Sequence, residues 1–147
     1  MFRPAGTVLV GKRDVIDRAR RIRKMVGGAM RQAGVLAAAG LHALEHHVPR
    51  LAEDHANAQR LGAGLEALGI AVEPVQTNMV FAAFPKADCD ALQAHLAQAG
   101  ITAFIDPRAR LVTHLDVNAA GIDAMLEATA AYLSRNDRTL ARAAAQR

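Results

Sequence analysis

Two adjacent glycines, Gly27 and Gly28, separate two helical patterns of opposite character, and this break constrains the first third of the chain. On the N-terminal side, Val15, Ala19, Ile22 and Val26 recur at spacings of four, three and four. That is one apolar stripe on a helix over Lys12 to Val26, with arginine filling most other positions and the stripe expected to face protein. On the C-terminal side, residues 31 to 47 are apolar nearly throughout as far as Leu44, the pattern of a helix buried on several sides. Glycine costs roughly 1 kcal/mol in a helix interior relative to alanine and readily takes left-handed C-cap geometry, so the pair ends the first helix. A glycine pair running into a helix start also predicts an anion site, because unpaired N–H groups and the positive helix end converge there.

The remaining elements follow from the same rules. Gly6 to Gly11 encloses Thr-Val-Leu-Val, which reads as a buried strand. Pro49 closes the second helix and suits the first turn of a third, which runs to about Leu68 with Leu51, Ala58 and Leu65 seven apart and Leu61 and Leu68 between. Gly69 stops it. Strands are expected at Ala71 to Val75, Met79 to Phe84, Ile101 to Ile105 and Arg110 to Thr113, with a helix over 87 to 99 capped by Gly100 and a last helix over Asn118 to Tyr132. Residues 136 to 147 read as a frayed basic helical tail. The fold class expected is α/β, with leading helices followed by a small α+β module whose sheet is antiparallel.

Aromatic residues are only 3% of the 147, so any core is built from small aliphatic side chains and closely approaching helices. The single cysteine, Cys89, can form no intrachain disulfide, which points to a reducing compartment or to indifference to redox state, and a cytoplasmic setting is expected. The longest apolar run, Ala33 to Leu41, falls short of the roughly 20 residues a bilayer needs, so no membrane partner is expected. Arg18, Arg20, Arg21, Arg23 and Lys24 make a nucleic-acid-binding helix the alternative function. The run lacks the interleaved aromatics of single-strand binders and shares its helix with a packing stripe, which disfavours that alternative. His42, Glu45 and His46 match a His-x-x-Glu-His zinc order, but no third ligand lies nearby and no metal site is expected. Arg110, at the edge of an apolar strand, is suited either to gripping a carboxylate or to a surface ion pair with Asp106 or Asp116.

Five blocks carry a further signal: Gly-Thr-Val-Leu-Val-Gly-Lys at 6 to 12, the stretch from Arg23 to Gly40, Leu-Ala-Glu-Asp-His-Ala-Asn-Ala at 51 to 58, Gln-Thr-Asn-Met-Val at 76 to 80, and Arg-Leu-Val-Thr-His-Leu-Asp-Val at 110 to 117. In this order they resemble the C-terminal half of the low-specificity L-threonine aldolases, over nearly all of residues 6 to 135. The resemblance implies a pyridoxal-phosphate lyase of the aspartate-aminotransferase-like fold (fold type I), homo-oligomeric, splitting threonine or allo-threonine, small β-hydroxy amino acids, into glycine and acetaldehyde. It implies that residues 1–47 end a large cofactor-binding domain, that 48–135 are the small α+β domain, and that 136–147 have no family counterpart.

By the same resemblance, Arg110 corresponds to the arginine that grips the substrate carboxylate. Arg31 corresponds to an arginine near the cofactor phosphate, reached across a subunit interface, and Lys24 to a lysine near the site that is not the Schiff-base lysine. That last lysine belongs to a Ser-Lys-Gly segment expected immediately before Met1, so the chain alone is expected to be inactive and to expose apolar surface. Ala29 and Ile22 depart from the family, which prefers glycine and often tryptophan there.

Overall fold

The computed structural model describes residues 8–145, with side chains described through Asn136. The chain divides into two compact units, Met1–Pro49 and Arg50–Arg147. Among the described residues no helix is long and apolar enough to cross a membrane.

The first unit contains α1 (Arg13–Met25) and α2 (Gly34–His46). Asp14 in the first turn of α1 and Arg23 and Lys24 in its last complement the helix dipole. The apolar stripe of α1 is present but uncovered: no residue of the helix is buried, and Val26 just beyond it is 77% exposed. In α2 only Ala43 is buried, while Val35, Leu41 and Leu44 are exposed. The expectations of a protein-facing stripe and of a helix buried on several sides are therefore corrected. Apolar periodicity calls for a covering surface, and the described residues of this unit do not supply one. For the expected strand over 6 to 11, the described part is corrected: residues 8 to 11 are irregular and exposed and have no ladder partner among the described residues, while residues 6 and 7 lie outside them.

The second unit packs α3 (Leu51–Ala67), α4 (Cys89–Gln98) and α5 (Ala119–Ala145) with a three-stranded antiparallel sheet of β1 (Ala71–Val72), β2 (Met79–Ala83) and β3 (Ala109–Val112), in the order β1-β2-β3. The α3 seam is as expected, with Ala58, Leu61 and Leu65 buried and Leu68 packed at the edge of the core. Val80, Leu92, Leu96, Ile122 and Met125 complete that core. Helix packing is close where the side chain is smallest: a Cβ on Gly64 would meet Leu126 Cδ2 at 2.6 Å. α3 ends at Gly69 (φ 81°), whose left-handed backbone lets the amide of Ile70 return to Leu65 O at 3.0 Å.

Three elements depart from expectation. Residues 101 to 105 form no ladder: the amide of Ile101 closes α4 on Leu96 O and that of Ile105 takes Gln93 Oε1, so the segment is an extended loop despite its apolar composition. β1 is short because it lies at the sheet edge and continues only through Glu73 N to Phe81 O at 2.9 Å. α5 runs well past Tyr132, carrying residues 136 to 145 of the expected tail within the helix, while 146 and 147 lie outside the described residues.

Three of the sequence blocks meet in one polar knot. Thr113 Oγ1, buried, donates to Asp54 O at 2.6 Å, and the amide of Thr113 donates to Asn78 O at 3.0 Å. Asn78 Nδ2 answers on Thr113 O at 2.9 Å, and Asn57 Nδ2 reaches Val117 O at 3.1 Å. The Asp54 carboxylate, 1% exposed, is held by Arg50 at 3.3 Å. The knot ties the start of α3 to the end of β3, three residues beyond Arg110.

Candidate functional site

Strand alternation places Val80, Ala82, Ala109 and Leu111 on the core face of the sheet and Met79, Phe81, Arg110 and Val112 on the other. Arg110 is directly opposite Phe81 in the ladder, so the guanidinium and the ring leave the same face. Neither partner expected for a surface ion pair reaches Arg110. Asp106 Oδ1 accepts the amide of Arg108 at 2.9 Å, and Asp116 lies against His114 Nδ1 at 3.6 Å. Among the described residues Arg110 makes no ion pair, which leaves its fork of donors open to an external carboxylate.

The neighbouring arginine is arranged differently. Arg108 stacks over the Phe81 ring, 4.4 Å from its centroid, and donates through Nε to Glu73 Oε1 at 2.7 Å and through Nη2 to Glu73 Oε2 at 3.1 Å. The hydrogen bond from Arg108, aided by its charge, holds the Glu73 carboxyl below its ordinary value of 4.5. A carboxyl lowered on folding gives stability that is present above its unfolded value and is lost as pH falls through the folded one. An NMR titration should therefore place the Glu73 midpoint below 4.5, and Arg108→Met should return it to the ordinary range; equal midpoints in the two proteins would contradict the pairing. A groove of about 330 Å³, lined by Glu73, Gln76, Thr77, Met79 and Phe81 among others, runs beside this cluster.

Lys24 and Arg31 belong to the first unit, and both are exposed. The glycine pair between them is not the open anion nest that its sequence suggests. Gly27 (φ 81°) and Gly28 donate their amides to Lys24 O at 3.2 Å and Arg23 O at 2.8 Å, closing α1. A Cβ on Gly28 would meet Arg23 Cγ at 2.9 Å, so any larger residue there would have to displace the Arg23 side chain. The open donors lie farther on, in the first turn of α2, which has no side-chain cap and no acidic residue. Arg31, in the turn leading into that helix, adds a permanent charge beside them.

His42 and His46 contact edge to face at 4.4 Å, and His42 lies 5.4 Å from His47. Among the described residues no group of three or more His, Cys, Asp or Glu side chains is placed to hold a metal ion. The arginines of α1 are exposed, and Arg20 pairs with Asp17 at 3.6 Å. Sequence reasoning missed Glu73, Phe81 and Arg108. Arg108 was accessible through its two-residue offset from Arg110, whereas nothing local links Glu73 to a residue 35 positions away.

The family model described as "Beta-eliminating lyase" matches residues 1–87. The chain belongs to the beta-eliminating lyase family. Among the members it resembles is the low specificity L-threonine aldolase of Escherichia coli K12, 42% identical over 132 residues, covering 90% of this chain and 40% of that protein. Low-specificity L-threonine aldolase 1 of Arabidopsis thaliana is 44% identical over 81 residues, 53% of this chain and 23% of the relative. The chain thus spans 40% of the length of its bacterial relative. A Burkholderia pseudomallei protein whose crystal structure is described as an aminotransferase matches with a TM-score of 0.51 and 24% identity, over 66% of this chain and 30% of that one. This likeness shows the fold, the aminotransferase-like architecture expected from the sequence.

Proposed function

We propose that this chain supplies the substrate-carboxylate grip and part of the phosphate site of a pyridoxal-phosphate-dependent aldolase that cleaves threonine, allo-threonine or a related small β-hydroxy amino acid into glycine and an aldehyde. The observation that carries the reading is Arg110, a guanidinium on the exposed sheet face that has no protein partner among the described residues, in a family whose named relatives include threonine aldolases. Residues 1–47 would complete the cofactor-binding domain and 48–135 form the small domain, working in the cytoplasm as a homo-oligomer.

The residues present fit the cofactor's anionic end: the uncapped first turn of α2 offers backbone donors, and Arg31 offers a charge. Lys24 adds a second cation near α1's closing turn. When bound, pyridoxal phosphate supplies the conjugated system that takes up the electron pair left at Cα as the Cα–Cβ bond breaks. Arg110 holds the carboxylate by two parallel hydrogen bonds, and this fixes the orientation of the Cα substituents. The polar knot at Thr113 anchors the strand that carries Arg110, so the grip sits on a rigid element.

None of the three lysines offers a covalent anchor in this reading, because Lys12, Lys24 and Lys86 are all solvent-exposed and none lines a groove described above. Incubation with pyridoxal phosphate, borohydride reduction and peptide mass spectrometry should show no lysine labelled stoichiometrically. Full labelling of one lysine would overturn the assignment of roles.

A further inference from the structure

We propose that the Glu73–Arg108 pair is a charge selector: by compensating the charge of Arg108, Glu73 leaves Arg110 as the one uncompensated guanidinium beside Phe81 among the described residues, so that this face accepts a monocarboxylate and disfavours dicarboxylates. The inference rests on the carboxylate-grip reading of Arg110 and adds to it the basis of ligand charge preference. Both arginines belong to the neighbourhood of one ring: Arg108 stacks on Phe81 at 4.4 Å, and Arg110 is the cross-strand partner of Phe81 on the same sheet face. Arg108 lies in the turn that leads into β3, two residues before Arg110, so the two arginines approach the Phe81 side of the sheet from neighbouring positions in the chain. What separates their roles is Glu73, which takes the Nε and Nη2 donors of Arg108 at 2.7 and 3.1 Å, while among the described residues Arg110 has no acidic partner. Glu73 and Arg108 are half or more exposed, at 51% and 65%, so the pair sits at the surface where a ligand could reach Arg108 if Glu73 released it. Glu73 comes from the loop after β1, and its amide is held on Phe81 O at 2.9 Å, which fixes the carboxylate over the strand that carries the ring.

The test is a titration of the full chain with acetate and with succinate, followed by the arginine Nε–Hε resonances, in wild type, Glu73→Gln, Glu73→Ala and Glu73→Gln/Arg108→Met. The preference for succinate over acetate should rise about threefold to fivefold in both single variants, the range of an exposed ion pair, and return to wild type in the double variant. Glu73 is exposed, so folding is preserved, and agreement between the Gln and Ala variants excludes an effect peculiar to one side chain. Acetate shifting Arg110 with no change of preference in either single variant would overturn the charge selector while leaving the grip intact. If acetate shifted no Arg110 resonance in wild type, the grip reading itself would fail and the selector with it.

Discussion

Leu65→Ala should lower the unfolding free energy of the second unit by about 3 kcal/mol, the cost of a lost leucine side chain plus the cavity left behind. Leu65 is fully buried at the centre of the α3 seam, where Ala58 and Leu61 flank it and β2 packs above. Tyr132, the only tyrosine in a chain without tryptophan, is buried in the same core, so its fluorescence reports the transition in denaturant. The control is Leu44→Ala on α2. Leu44 is 63% exposed, and its truncation should change stability by no more than about 0.5 kcal/mol. A comparable loss at both sites would contradict the placement of the core in the second unit.

Arg110→Ala should reduce kcat/KM by about 100-fold in an enzyme that contains this chain together with the remainder of a threonine aldolase. The estimate corresponds to about 3 kcal/mol for two charge-assisted hydrogen bonds to one carboxylate. Arg110→Lys should recover only part of the loss, since an ammonium supplies the charge but not the planar fork. An Arg110→Ala enzyme with unchanged kinetics would show that the carboxylate is held elsewhere.

The parts legible in the sequence were those fixed by local chemistry. The glycine stops at 69 and 100, the heptad-like seam of α3 and the short apolar strand at Arg110 all depend on residues within one or two turns of each other. What escaped was set by distant groups. The apolar pattern of α1 and α2 specified a face to be covered without specifying the cover, so their exposure could not be read from periodicity. Residues 101 to 105 have strand composition, yet their end amides are claimed by Leu96 and Gln93. The glycine pair showed where α1 closes but not that both its amides would be consumed in doing so, which moves the open donors to α2. At the site, Arg110 was identified as a possible grip from its place on the strand. Its availability depended on Asp106 and Asp116 turning to Arg108 and His114 instead, a choice made by loop geometry.

The exposed apolar residues of the first unit, Val10, Val26 and Val35 among them, also define what the chain requires for function in this reading: a covering surface of the kind a larger cofactor domain provides. The most direct measurement therefore joins this chain to the portion of the Escherichia coli low specificity L-threonine aldolase outside the matched region and follows acetaldehyde release from L-threonine in the presence of pyridoxal phosphate. Cofactor absorbance shows whether the hybrid has assembled. The hybrid should form acetaldehyde, and Arg110→Ala should abolish this with cofactor absorbance retained. A hybrid that binds the cofactor but releases no acetaldehyde, or one that keeps full activity without Arg110, would contradict it.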